Sequence, residues 1–222
     1  MQNVKNTILI RLLQALAPHP CVSCGVIGVV LCQRCKYNYL VSWSDRCVAC
    51  TEPKGCCAHA DTWISYIFDR VGPIQSMIDS YKFRYRIDTA ELLAGILAER
   101  LPTTHVLVPI PTLRAHIRQR GFDHIDVLVR KLAHIKGVPV ERVLVRTNNT
   151  VMHRLAKQDR LLASKGLFTC STRLNPTTQY VLIDDIHTTG ATLRAARQTL
   201  LGAGACSVQA VVVARQPLGP LD

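Results

Sequence analysis

Two adjacent carboxylates followed by a hydroxyl-rich turn, Asp184-Asp185-Ile186-His187-Thr188-Thr189-Gly190-Ala191-Thr192, are the residues of this 222-residue chain best suited to chemistry. Carboxylates accept hydrogen bonds from hydroxyls or hold cations, and a Gly-containing turn at a helix start offers backbone N–H groups to a phosphate. A ligand for this run therefore combines a phosphate with hydroxyls or a cation, as ribose 5-phosphate does. The flanks supply the positioning elements. Val181 to Ile183 is too short and too β-branched for a helix and reads as a buried parallel strand. Thr192 to Leu201 has apolar residues at 193, 196, 200 and 201, a helical spacing that Gly202 or Gly204 can end. Strand, turn and helix in that order place Asp184 and Asp185 at the carboxyl end of a strand, where open α/β sheets bind ligands.

A second chemical cluster lies near the start. Eight of the ten cysteines fall between residues 21 and 57 as Cys21-x2-Cys24, Cys32-x2-Cys35, Cys47-x2-Cys50 and Cys56-Cys57-Ala58-His59. Two-residue spacing lets both thiolates of a tight turn reach one tetrahedral Zn²⁺. Cys21, Cys24, Cys32 and Cys35 suit one site. Cys47, Cys50, Cys56 and His59 suit a second, with Cys57 as an alternative ligand, and adjacent or interleaved pairing both remain open. Four protein ligands close the coordination sphere, so the zinc is expected to be structural rather than catalytic. Disulfides compete with this reading; the phosphate-handling motif behind the cysteines favours a reducing cytoplasm and hence metal. Cys170 and Cys206 stand apart, beside strand-like runs, and read as core thiols.

The organisation follows from composition. Ile8 to Ala17 reads as a short amphipathic helix, and no stretch of 18 uninterrupted apolar residues suggests a membrane span. Cysteines stop near residue 60, which divides the chain into a cysteine-rich module, 1–60, and a larger domain, 61–222. In the latter, Trp63–Phe68, His105–Ile110, Gln179–Ile183 and Ser207–Ala214 read as strands. Pro73–Tyr81, Thr89–Leu101 and Gly121–Ile135 read as helices. Alternating strands and helices predict a parallel sheet flanked by helices. Net charge is +12, and residues 111–165 hold twelve basic against four acidic side chains, a localised surface for pyrophosphate, nucleic acid or both. Tyr81, Phe83 and Tyr85, interleaved with Lys82, Arg84 and Arg86, are the best local candidate for nucleic-acid contact. Because they alternate at period two, half of them can equally form a core face. His187 has the chemistry of a general acid or base but reads as a spacer. The other histidines, among them His116, His124, His134 and His153, form no metal-spaced set.

The run from Tyr180 to Thr192 resembles the phosphoribosyl-pyrophosphate (PRPP) signature of type I phosphoribosyltransferases. The whole chain from Cys21 to Arg215 resembles the ComF family, which joins an N-terminal zinc ribbon to a type I phosphoribosyltransferase-like domain. Besides the zinc pairs and the signature, the likeness rests on Tyr81-Lys82-Phe83, Val108-Pro109-Ile110-Pro111 with Arg114, Arg120-Gly121-Phe122, Leu155 with Arg160, and Gly166-Leu167-Phe168. The chain departs from it at Asp123-His124, where the family usually has Asn-Gln, near Met152, where it prefers Gln, and at Ala163, where it prefers Asn.

The resemblance implies that Asp184 and Asp185, the candidate catalytic pair, hold the ribose 2′- and 3′-hydroxyls. Thr188, Thr189, Gly190, Ala191 and Thr192 then cradle the 5′-phosphate. Backbone from Val108 to Pro111, notably Pro109 and Ile110, meets pyrophosphate, with Lys82, Arg114, Arg118 and Arg120 as candidate cations and Mg²⁺ arriving with PRPP. Arg118, Arg120 and Arg84 are the candidates for nucleic-acid binding. Two readings stand beside each other. One is PRPP-dependent transfer to an acceptor that the sequence does not identify. The other is a cytoplasmic protein of natural competence that handles incoming single-stranded DNA, alone or with competence or DNA-processing proteins, and binds in its pocket without turnover. Nucleobase salvage is disfavoured, because salvage enzymes do not ordinarily carry a cysteine-rich front module.

Overall fold

Runs of apolar residues long enough to be buried on both faces set the architecture. The structure, a computed structural model, describes residues 19–40, 46–47, 63–84, 86–99, 101, 105–147 and 166–217. Within them β2 (Trp63–Asp69), β7 (Ser207–Arg215), β6 (Gln179–His187) and β3 (His105–Pro109) lie side by side in that order, all parallel. A two-residue strand, β1 (Arg46–Cys47), adds antiparallel to β2 at the edge. The N-terminal helix expected over Ile8 to Ala17 lies outside the described residues, as do Tyr85, Met152, Leu155, Arg160 and Ala163.

The connection from β2 to β3 crosses to the far edge, whereas β3, β6 and β7 step back toward β2. Right-handed crossovers then require helices on opposite faces for the two directions. Ile74, Met77, Ile78 and Tyr81 of α2 (Gly72–Arg84) share a buried cluster with Leu93 and Leu97 of α3 (Ile87–Ala98) and with Leu128 and Leu132 of α5 (His124–Lys136). This cluster packs on Val181, Ile183, Val211 and Val213. Leu193, Ala196 and Leu200 of α6 (Ala191–Gly202) pack on the other face against Tyr180, Leu182 and Val212, together with an antiparallel ribbon of β4 (Leu144–Arg146) and β5 (Phe168–Cys170). α2 and α3 on the way out and α6 on the return from β6 to β7 do lie on opposite faces, while α5 leads from β3 further outward to Val140, which bridges parallel to Leu107, and so shares the face of α2 and α3. Each fully buried Leu contributes about 1.5–3 kcal/mol relative to exposure.

Several boundaries differ from the sequence expectation. The helix expected from Gly121 starts at His124, because Asp123 caps it, its side chain accepting from the amides of Ile125 and Asp126. Before it stands a short helix, α4 (Arg114–Arg120), with no buried residue and hence no apolar period to betray it; Gly121, at φ +79°, closes it in the left-handed conformation. α2 runs through the Tyr81–Arg84 segment, so the period-two alternation there marks no strand: Tyr81 is 1 % exposed and Phe83 58 %. Cys206 is exposed and Cys170 half-buried, so neither is a core thiol; Cys206 precedes β7, and Cys170 ends the two-stranded ribbon with its Sγ donating to the Thr172 carbonyl.

The cysteine module packs on this frame. Cys21, Val30, Leu31 and Cys35 belong to the same buried cluster as α2, α3 and α5. Lys36 of α1 (Gln33–Tyr39) meets Glu99 at 3.2 Å.

Candidate functional site

A cleft opens where β6 outlasts its neighbour. Pairing with β3 stops at Pro109↔Ile183, and the amide of Ile110 donates to the Ile183 carbonyl at 3.0 Å. β6 continues through His187 beside β7 alone. Asp184 and Asp185 are thus inside the strand rather than after it, at the first positions left uncovered on the β3 side. They face a cleft of about 340 Å³ lined also by Lys82, Ile110, Pro111, Thr112, Leu113, His116, Arg120, His124, Arg146 and Thr192.

Strand alternation sends the two acids to different surroundings. Asp185 meets α2 and α5: its Oδ2 lies 2.7 Å from Lys82 Nζ and 2.6 Å from His124 Nε2. Burial alone raises a carboxyl pKa, but the Lys82 ammonium and the His124 hydrogen bond outweigh it and hold Asp185 well below the usual carboxylate range. For Asp184, burial and the charge of Asp185 act together and raise the carboxyl to about 7, against the pull of Lys82 and Arg146. Asp184 also accepts from the amide of Asp185 at 2.9 Å. One acid is fixed as an anion; the other sits near the point of changing charge.

After the strand, Thr188 is exposed, Thr189 half-buried and Gly190 buried. Gly190 is the N-cap of α6 at φ +72°, a conformation natural to glycine, and no side chain caps this helix. The first-turn amides of a 12-residue helix, with their positive dipole end, therefore point out beside the cleft. Arg194 braces the turn from behind through the Thr189 carbonyl at 3.0 Å. His187 is buried at the end of β6, and its carbonyl accepts from Gln216.

Of the residues singled out from the sequence, Asp184, Asp185, Lys82, Ile110, Arg120 and Thr192 line one cleft. Arg114 and Arg118 do not: both are exposed on α4, outside its lining. The side chain of Arg84 lies outside the description. The strip from Val108 to Pro111 contributes less backbone than expected, since Pro109 and Pro111 carry no N–H and that of Ile110 is committed to Ile183. Of the lining residues that went unforeseen as site members, His124 and Arg146 bear most on the two acids. His124 showed in the sequence as a departure at Asp123-His124. Arg146 gave no signal; its guanidinium stacks on Phe168, 4.8 Å from the ring centre, and its Nε donates to the Pro111 carbonyl, which ties β4 to the mouth of the cleft.

In the cysteine module the sulfurs of Cys21, Cys24, Cys32 and Cys35 all lie within 4.8 Å of one another. Zn–S bonds of about 2.3 Å at tetrahedral angles place sulfurs about 3.8 Å apart, and Cys24 Sγ to Cys32 Sγ is 3.6 Å. The knuckle is built by a bridge between Pro20 and Ile27 and by the Cys21 amide donating to the Val26 carbonyl. Burial raises the Cys21 thiol, but the amides of Cys24, Cys32 and Ser23 outweigh it and bring it to about 6, toward the thiolate a metal needs. The donor set fits zinc. Of the other proposed set, Cys47 is buried in β1, whereas Cys50, Cys56 and His59 lie outside the described residues.

Comparison with known proteins follows the same division. No family model matches the chain. Competence protein ComFC of Bacillus subtilis (strain 168) is 28 % identical over 207 residues, which cover 83 % of this chain and 84 % of that protein. DNA utilization protein YhgH of Salmonella typhimurium is 31 % identical over 159 residues, 64 % of this chain and 67 % of that one. The chain belongs to the ComF family. It pairs a cysteine-rich front with a parallel α/β sheet flanked by helices. Among solved structures it is similar to the purine phosphoribosyltransferase from Pyrococcus horikoshii Ot3, with 17 % identity, a TM-score of 0.36 and coverage of 63 % of this chain and 80 % of that one. The fold rests on this chain's own strand order.

Proposed function

We propose that the chain binds PRPP with Mg²⁺ in the Asp184–Thr192 cleft, carries a structural zinc on Cys21, Cys24, Cys32 and Cys35, and serves natural competence by handling transforming single-stranded DNA in the cytoplasm. One observation carries the ligand reading: two acids project beyond the last β3 pair and are followed directly by an uncapped helix N-terminus. Hydroxyls at the acids and a phosphate at the amides make a ribose 5-phosphate complementary to both. The names of the relatives, a competence protein and a DNA utilization protein, support the biological role.

Departure of pyrophosphate from C1 of the ribose leaves cationic character on the sugar, and catalysis relies on neutralising the leaving group and placing the acceptor. Lys82 and Arg120 are the cleft's cations from α2 and α4, and Arg146 guards Asp184. Mg²⁺, when bound, neutralises pyrophosphate through the ligand's own oxygens and waters. Lys82 already occupies Asp185, so the protein's acids are set to meet hydroxyls more than a bare cation.

Incubation with PRPP, Mg²⁺ and candidate acceptor bases, read by pyrophosphate release, tests turnover; calorimetry with PRPP and Mg²⁺ tests binding. Binding without release favours a ligand-responsive binding protein, and absence of both ends the PRPP reading. A second reading, nucleic-acid binding on a phosphoribosyltransferase-like fold, is favoured by Arg114 and Arg118 standing exposed outside the cleft. Contacts of that kind give single-strand affinity that falls steeply with salt and varies little with sequence. Reversing both to Glu should weaken DNA binding while leaving PRPP affinity in place.

A further inference from the structure

His124 is more tightly placed than its position at the start of α5 requires. The residue is 4 % exposed. Its carbonyl accepts from the Tyr81 hydroxyl, and its ring meets the Tyr81 ring edge-on at 6.0 Å. Both ring nitrogens are engaged, Nε2 with Asp185 Oδ2 at 2.6 Å and Nδ1 with Arg120 Nη1 at 3.2 Å. A guanidinium can only donate. Nδ1 is therefore the acceptor, and the neutral ring carries its proton on Nε2, aimed at Asp185. Arg120 is itself held by the Phe83 ring, 4.9 Å from its centre.

We propose that His124, its tautomer set by Arg120 at Nδ1 and by the Asp185 carboxylate at Nε2, is the positioning residue for Asp185: together with Lys82 it occupies Oδ2 and leaves Oδ1 directed at a ribose hydroxyl. This rests on reading the cleft as the PRPP site. The acid would otherwise rotate to present either oxygen, or turn wholly to Lys82. With two donors converging on one oxygen the carboxylate plane is fixed before ligand arrives, and an oriented acceptor loses less freedom on binding. His124 itself touches no reacting atom. Its action runs through Asp185.

Two measurements on the full chain test this. Long-range proton–nitrogen correlation spectra of ¹⁵N-labelled protein near neutral pH should show His124 as the Nε2–H tautomer, and Arg120→Met should keep it, since the Asp185 carboxylate still accepts at Nε2. In calorimetry with PRPP and Mg²⁺, His124→Ala should bind roughly tenfold to a hundredfold more weakly than wild type. His124→Gln, which keeps an N–H donor of similar reach, should stay within about threefold. Thermal melts check that the variants are folded. Wild-type affinity in a folded His124→Ala protein overturns the proposal alone and leaves the PRPP reading standing. Wild-type protein that does not bind PRPP overturns that reading and this proposal with it. If His124→Ala does not fold, the spectrum decides: an Nδ1–H tautomer in the wild type removes the stated route to Asp185.

Discussion

The cysteine knuckle and the acid cleft both crowd groups that become anions, and they answer the crowding in opposite ways. At the cleft the chain brings its own charge partners: the Lys82 ammonium and the His124 ring N–H close on Asp185, and the charges of Lys82 and Arg146 act on Asp184. At the knuckle the thiol pKa values are set by burial, backbone amides, Ser23 and the other thiols. Four thiolates so arranged are complete only with an external cation. A site that neutralises itself is pre-organised and ready for a ligand to enter and leave. A site that depends on an ion for its charge balance also depends on it for folding, since the metal's binding energy becomes folding energy.

The largest expected effect tests the knuckle. Structural zinc contributes on the order of 10 kcal/mol to small metal domains. Cys35→Ser should therefore lower the zinc content by one ion per chain and depress the melting temperature strongly, as mass spectrometry and thermal melts would show. Well-folded protein free of zinc, with residues 21–35 intact, would erase the contrast between the two sites.

Next in size is Asp185→Asn. It should weaken PRPP binding roughly tenfold to a hundredfold by calorimetry, because a charged hydrogen bond is worth about 1.5–3 kcal/mol. It also strands Lys82, at a stability cost of up to about 3 kcal/mol by denaturant melts. Gly190→Val forces a β-branched residue to φ +72°, costing about 1–3 kcal/mol and displacing the amides beside the cleft. Its PRPP affinity should fall about a hundredfold, and unchanged affinity would show that the turn is scaffold only.

The smallest effect separates the two acids. Asp184, raised to about 7, gives stability that is full below about pH 4 and is lost as pH rises toward 7. Asp185, held low, gives stability that persists above about pH 4 and is lost only on acidification. The stability difference between wild type and Asp184→Asn should slope across pH 4–7, whereas that between wild type and Asp185→Asn should slope less, by only the share of the Asp184 rise that the Asp185 charge supplies. Parallel slopes for both variants in melts over this range would remove the division of labour between them.

Elements with a strong period were legible in the sequence. Val181 to Ile183 and the α6 face at 193, 196 and 200 advertise burial, and the structure sets them as expected, with β6 running four residues further. α4 was not legible, because nothing on it is buried and its end depends on Gly121 alone. In the candidate site, the acids and the turn stand out by residue type and order, and Lys82 comes with the family resemblance; the structure brings Lys82 and the acids to one cleft. Arg146 does not stand out, because its place depends on where an antiparallel ribbon folds back onto the loop after β3.

By itself the sequence determined which groups exist and which are near each other along the chain: paired cysteines within a turn's reach, two acids adjoining an apolar run, a glycine where the helix must begin. These follow from local geometry, which two to ten residues specify. Only the tertiary structure decided what each charge meets. Lys82, His124 and Asp185 stand far apart in sequence and converge because α2 and α5 pack on the same face of the sheet from which Asp185 projects. Asp184, one residue away, points to the opposite face and feels the charges of both Lys82 and Arg146. A carboxylate's charge state depends on burial and on partners a few ångströms off, and neighbours in space are fixed by packing rather than by order in the chain.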